Sequence, residues 1–217
     1  MKKQRVFITG ATGTMGLASL KKMLKDSDKQ DIVILSLDTE RDRKILKPYQ
    51  NKKGLKIIWG DLTDYDIVLK CVKGCDIILH IAAFVSPAAD YHLKQAMKVN
   101  YGSTRNLINA IYELRQEAHT RFVYIGTVAE TGDRTPPPIH WGRVGYPIKP
   151  SIFDKLARTE HGTIRFIEEN MEDHFDVCIL LISIFLYNIN GANKNNYQNK
   201  NFYLHHLIFS YESFLTL

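Results

Sequence analysis

The residues whose types and spacing could do chemistry begin at Thr9-Gly10-Ala11-Thr12-Gly13-Thr14-Met15-Gly16. A glycine at 10 permits a tight turn. One at 13 lets the backbone approach a pyrophosphate with no Cβ in the way, and one at 16 lets the following helix pack close to the sheet. Thr12, Thr14 and Met15 complete the loop where a helix would open, and the free N–H groups of a helix start suit a phosphate anion. A purely structural glycine-rich turn is the plainer alternative; an apolar strand before the loop and a helical pattern after it favour the dinucleotide reading. Asp38, 22 residues beyond Gly16, can accept hydrogen bonds from a ribose diol and would repel a 2′-phosphate, which favours NAD over NADP. Arg41 and Arg43 blur that preference and leave NADP open. Asp38 could equally be a helix N-cap.

These residues need a frame. Arg5–Thr9, Asp31–Leu37, Leu55–Trp59, Cys75–Ile81 and Arg121–Ile125 read as apolar, β-branched strands. Between them Thr14–Lys25, Asp64–Lys73 and a long region Tyr91–Glu117 read as helices. That alternation predicts βαβ units, hence an α/β chain with a doubly wound parallel sheet of the Rossmann type. Residues 127–150 form a long Pro- and Gly-rich loop, and Ser151 opens a further helix whose stripe is Ile152, Leu156, Ile164 and Ile167. Asp176–Leu186 could be a sixth strand. Seven Asn then fall within Asn188–Tyr203, where periodicity is lost. The expected organisation is a nucleotide-binding domain over 1–175 and a divergent segment over 176–217.

The spacing Gly10-x-x-Gly13-x-x-Gly16 resembles that of the extended short-chain dehydrogenases/reductases of the NAD-dependent epimerase/dehydratase type. Further motifs agree in order. Gly60-Asp61-Leu62-Thr63-Asp64 resembles the segment after the third strand, which implies adenine contacts for Asp61 and Leu62. His80-Ile81-Ala82-Ala83 resembles the cofactor-lining segment after the fourth, which implies that role for Ala82 and Ala83. Asn100-Tyr101-Gly102-Ser103-Thr104 resembles the N-x-G-T element of the long helix and implicates Asn100. Each has a plainer reading: Asp61 and Asp64 as helix caps, His80 as a satisfied core histidine, Asn100 as a polar residue at a bend. The resemblance covers about residues 4–170 and implies hydride transfer on a nucleotide-sugar or similar alcohol or carbonyl substrate. It also implies a homodimer paired through the long helical region and the Ser151 helix.

In that family a Ser or Thr, a Tyr and a Lys act together, the Lys lowering the Tyr pKa so that the phenol can exchange a proton near neutral pH. Phe122–Thr127 with Gly132 resembles the fifth strand and its loop, and implies that Thr127 is the catalytic hydroxyl. Ala157 and Thr159 set the register of the family's Y-A-x-T-K, which puts Leu156 at the Tyr position and Glu160 at the Lys position. Leucine transfers no proton, and glutamate would repel a tyrosinate. The sequence therefore predicts an intact cofactor half with weak or absent hydride transfer. The alternatives are a non-catalytic NAD(P)-binding regulator and a degenerate, truncated relative, since the family's substrate region is largely missing after residue 186.

Composition agrees with a globular chain of 217 residues, 45% apolar and 24% charged, and excludes collagen-like, disordered and disulfide-scaffold classes. Net charge is +6, with 14 Lys/Arg against 6 Asp/Glu in residues 1–60. That surplus suits a phosphate-bearing ligand or simply solvated helix faces; without an interleaved aromatic platform it does not point to nucleic acid. Three cysteines read as reduced thiols of a cytoplasmic protein. Val177–Tyr187 is too short for a membrane span, the N-terminus lacks a signal peptide pattern, and no His/Cys cluster has metal-ligand spacing.

Overall fold

The computed structural model describes residues 3–26, 28–127 and 177–182, together with Thr163 and Phe166. Two compact units divide the chain, Met1–Leu181 and Ile182–Leu217; Ile182 is the described residue of the second. The expected boundary at 175/176, the Pro-rich loop beyond residue 127, most of the helix expected after Ser151 and the Asn-rich stretch lie outside the described residues.

The first unit alternates strand and helix. The strands are β1 (Gln4–Thr9), β2 (Gln30–Ser36), β3 (Leu55–Trp59), β4 (Ile77–His80), β5 (Arg121–Thr127) and β6 (Val177–Ile182). The sheet order is β3-β2-β1-β4-β5-β6. β1 pairs in parallel with β2 and β4, β2 with β3, and β4 with β5. This is the Rossmann order, and its direction reverses between β1 and β4, where open α/β sheets bind ligands at their carboxyl edge.

The strands are apolar because both faces are covered. Phe7, Val33, Leu35, Ile78, Phe122 and Tyr124 point to one face, where they form a buried cluster with helices α3 (Tyr65–Val72) and α6 (Gly102–Glu113). The alternating residues Val6, Ile8, Ile32 and Ile34 are also buried, at 0–1% exposure. By the two-residue period of a strand they face the other side.

Helix α1 (Thr14–Met23) runs into a 3₁₀ turn at Leu24–Asp26. Helix α2 (Glu40–Leu46) is the helix that a cap after β2 implies, begun at Thr39 rather than at Asp38. Its signal was present: Thr39 is the N-cap, its hydroxyl accepting from Asp42 N–H at 3.1 Å and donating to the Asp42 carboxylate at 2.8 Å. A Thr with an acidic residue three positions on is a capping pattern.

The long helical region expected over Tyr91–Glu117 is broken. Short helices α4 (Ala88–Tyr91) and α5 (Leu93–Ala96) are separated by the non-helical His92, and a π-helical turn at Met97–Tyr101 precedes α6. The helix ends at Glu113, and Arg115 turns the chain with φ 53°. Among the described residues no helix is long and apolar enough to cross a membrane, and no three His, Cys, Asp or Glu side chains cluster as a metal site.

Candidate functional site

The turn after β1 is shaped by steric necessity. Gly10 has φ 70°, a conformation that favours glycine, and a Cβ there would meet Ala82 N at 2.7 Å and Ala82 Cα at 2.8 Å. The loop therefore sits directly against the segment leaving β4. Gly16 is tighter still: a Cβ would lie 2.0 Å from the Gly10 carbonyl oxygen and 2.9 Å from Ala11 Cα. The missing side chain at Gly16 makes room for the backbone of Gly10 and Ala11, directly after β1. At Gly13 a Cβ would meet only the Gly10 oxygen, at 3.4 Å, and the residue is exposed. Gly13 N–H donates to that same oxygen at 3.0 Å.

Gly13 is the N-cap of α1, and no side chain caps this helix end. Its first turn carries no acidic residue. First-turn N–H groups of a helix have no intrahelical acceptor, so this end offers donors and a partial positive charge to an anion. Thr12 and Met15 are half-buried and Thr14 is exposed around it.

Behind the loop lies a closed buried network. Thr104 Oγ1 donates to Asn100 O at 2.8 Å, which uses its proton. It therefore accepts from His80 Nε2, 3.0 Å away. His80 Nδ1 is then the acceptor and takes the Thr9 hydroxyl proton at 2.7 Å. The Thr9 oxygen in turn accepts from Ile81 N–H at 3.2 Å and Ala82 N–H at 3.1 Å. Burial holds the His80 pKa down to about 3, so the ring is neutral. His80 is the satisfied core histidine of the plainer reading, and its work is to fix the start of the β4 loop.

Asn100 does parallel work. Its Oδ1 accepts from Phe84 N–H at 2.7 Å and its Nδ2 donates to Phe84 O at 3.2 Å, with the residue 2% exposed. The π-helical turn brings it to this position. Asn100 thereby clamps the loop that carries Ala82 and Ala83. Of those two, Ala82 abuts Gly10 and Ala83 is exposed.

The other end of the carboxyl edge is built from exposed charges. Asp38 follows β2 and is not the helix N-cap, a role taken by Thr39. Its carboxylate receives two hydrogen bonds from Arg43, one from Nε and one from Nη2 at 2.8 Å, and Arg43 stacks 4.8 Å over the Trp59 ring. Hydrogen bonding to Arg43 holds the Asp38 carboxyl below its ordinary range. Asp61 Oδ1 accepts from Thr63 N–H at 2.8 Å, an Asx turn that presents the exposed carboxylate beyond β3. The capping role falls to Asp64, which accepts from Asp66 and Ile67 N–H. Leu62 packs on the core, and its carbonyl accepts from Asn106 Nδ2 at 3.1 Å. Thr127 is the last residue of β5, three beyond Tyr124, which pairs with His80. Leu156 and Glu160 lie outside the described residues.

Cys71 and Cys75 are buried free thiols, both pushed up to about 11 by burial, and Cys75 donates to Cys71 O at 3.1 Å. They are core residues rather than nucleophiles.

The model of the NAD dependent epimerase/dehydratase family matches residues 6–158. A UDP-N-acetylglucosamine 4,6-dehydratase (inverting) of Campylobacter jejuni is 27% identical over 112 residues, 51% of this chain and 33% of that protein. A vaccinia virus 3 beta-hydroxysteroid dehydrogenase/Delta 5→4-isomerase is 29% identical over 108 residues, 49% of this chain and 30% of that one. The chain thus matches about a third of the length of these curated relatives. The fold is shared with the Bordetella bronchiseptica enzyme WbmH in complex with NAD+, at TM-score 0.67 and 20% identity over 84% of this chain and 57% of that one.

Proposed function

The chain belongs to the NAD dependent epimerase/dehydratase family, and from that premise we propose that it binds NAD(P) at the carboxyl edge of its sheet but transfers hydride weakly or not at all. The observation that carries the binding half is the steric one. Gly10 and Gly16 occupy places that any Cβ would fill, around a helix end left without a side-chain cap. That cradle fits a dinucleotide pyrophosphate. The WbmH complex with NAD+ supports the cofactor class.

Bound NAD would supply a hydride acceptor. The chain's own residues supply the rest. Thr12, Thr14, Met15 and the glycine backbone hold the pyrophosphate. Asp38 takes a ribose diol, and Asp61 with the Leu62 backbone meets the adenine edge. Ala82 and Ala83 line the path, with Asn100 and His80 keeping their loop in place. Thr127 would orient a substrate oxygen. Leu156 and Glu160, at the positions of the family's Tyr and Lys, can neither accept nor donate the substrate proton as a phenol would. Loss of a general acid/base costs about 10²–10⁴ in rate. The substrate class that the C. jejuni relative suggests is a nucleotide sugar; the vaccinia relative carries a steroid in its name, so the class rests on the first.

Titration of the purified chain with NADH, followed by turnover assays with UDP-sugars, tests this. The expected result is binding with little turnover, and gain of activity on replacing Leu156→Tyr together with Glu160→Lys. Brisk turnover by the natural sequence would overturn the catalytic half, and absence of NADH binding would overturn the cofactor half.

A further inference from the structure

Residues 40–56, which form α2, the turn after it and the start of β3, carry seven Lys or Arg against two acids. One of those acids, Asp42, is buried and bonded to Thr39, while all seven cations are exposed. Among the described residues, only Arg43 of the seven is paired with a carboxylate. We propose that this strip binds single-stranded nucleic acid, with one base held against Trp59. The proposal does not rest on the NAD(P) reading.

Charge alone would admit any polyanion; the fold adds a walled site. Glu40, Arg43, Lys44 and Lys47 lie on one side of α2, at spacings of three and four residues. With Gln50 and with Trp59 from the end of β3 they line a cavity of about 460 Å³. That volume is in the range of small-ligand sites. Arg43 stands 4.8 Å over the Trp59 ring, and bases stack on aromatic faces and on guanidinium planes alike. Gln50 and Glu40 offer an amide and a carboxylate to base edges. An aromatic ring set in a recess suits a flat base; a membrane surface cannot enter it. β3 is the edge strand of the sheet, and its five residues set Lys52 and Lys53 on the order of 15 Å from Trp59, with exposed Lys56 between. One extended strand can thus place a base in the cavity and its phosphates along the lysines. A basic track with a stacking platform is what single strands require.

Fluorescence anisotropy of a labelled oligouridylate of about 12 nucleotides, titrated with the full chain over a range of salt and without NAD(P), tests the proposal. The natural sequence should bind it, more weakly as salt rises. Lys44→Ala with Lys47→Ala should weaken binding about tenfold or more and flatten the slope of log affinity against log salt by about 1.4, at about 0.7 per lost phosphate contact. Trp59→Ala should weaken binding about tenfold with the slope unchanged, and Trp59→Phe should keep most of the affinity. Lys70→Ala with Lys73→Ala removes the same charge at the end of α3. That helix lies on the other face, since β2→β3 and β3→β4 cross the sheet in opposite directions. It should move binding by no more than about twofold. No binding at low salt, equal losses in the two lysine pairs, or an unaltered affinity in Trp59→Ala would overturn the proposal. So would binding of phosphatidylserine vesicles or polyglutamate as tight as that of the oligonucleotide. Should Trp59→Ala not fold, an abasic sugar-phosphate oligomer of equal charge decides with the natural sequence. Binding at least about fivefold weaker than that of the oligouridylate supports the stacked base, and equal binding overturns it.

Discussion

The two ends of the candidate cofactor site are held by different physics. At the β1 turn, shape is set by backbone contacts that leave no room for a Cβ at Gly10 or Gly16 and by a buried chain of hydrogen bonds from Thr9 through His80 to Thr104. At the adenosine end, Asp38, Arg43 and Asp61 are exposed and interact through charge. The first end is coupled to folding, because its parts cannot be changed without displacing β1 or β4. The second is solvated, so its pairs are screened by salt and add little to stability. Function should divide accordingly: whether a dinucleotide binds is decided at the turn, and which one binds is decided at the charges.

The comparison breaks most visibly at Gly16. A methyl group 2.0 Å from the Gly10 oxygen cannot be accommodated without moving the loop. Gly16→Ala should cost about 3 kcal/mol of stability, the upper range for overpacking, and abolish NADH binding. Thermal denaturation and titration measure the two effects. A variant that melts normally and binds NADH would remove the steric account of the cradle.

Thr9→Val tests the buried chain. It leaves His80 Nδ1 and the N–H groups of Ile81 and Ala82 without their shared oxygen. The expected loss is about 2–3 kcal/mol, since an orphaned buried polar group costs about 1–3 kcal/mol. Thr9→Ser keeps the oxygen and should recover most of it. A loss in Thr9→Ser with none in Thr9→Val would mean that the Thr9 methyl, not its hydroxyl, matters.

His80 gives the same region an acid sensitivity. Its folded pKa of about 3 lies below the ordinary 6.5. The neutral ring's contribution is therefore complete above pH 6.5 and is lost as pH falls toward 3. Each unit of pH in that window removes about 1.4 kcal/mol, or about 2 kcal/mol between pH 6.5 and 5. Denaturant titration across that range should show the decline, and His80→Gln should flatten it. An unchanged slope would assign the acid sensitivity to another group.

Local signals made much of this legible in the sequence. The strands were readable because they are covered on both faces and so nearly all apolar, and Gly10, Gly13 and Gly16 because their spacing is that of a turn running into a helix. What the chain cannot print locally is what a side chain meets. Asn100 bonds Phe84, sixteen residues away, through a π-helical turn that no apolar period encodes. Spacing marks Gly16 as a close approach of the helix but does not show that the Gly10 oxygen is what it meets. In the sequence Arg43 only blurs the preference set by Asp38; the fold brings in Trp59, from a strand sixteen residues on. Helix α2 is the exception, since Thr39 and Asp42 carry its capping pattern locally.

The smallest effect expected belongs to the exposed end. Asp38→Asn removes the charge that holds Arg43 and the acceptor pair that would meet the ribose diol. Both side chains are more than half exposed, at 53% and 55%, so the melting temperature should not change measurably. Ligand preference should change instead. NADH should weaken several-fold for want of a charged acceptor, while NADPH should hold or tighten because the carboxylate that would repel its 2′-phosphate is gone. The shift should shrink as salt rises, which a buried contact would not do. A loss of stability in Asp38→Asn would mean that the adenosine end is coupled to folding after all, and the division between the two ends would fail there first.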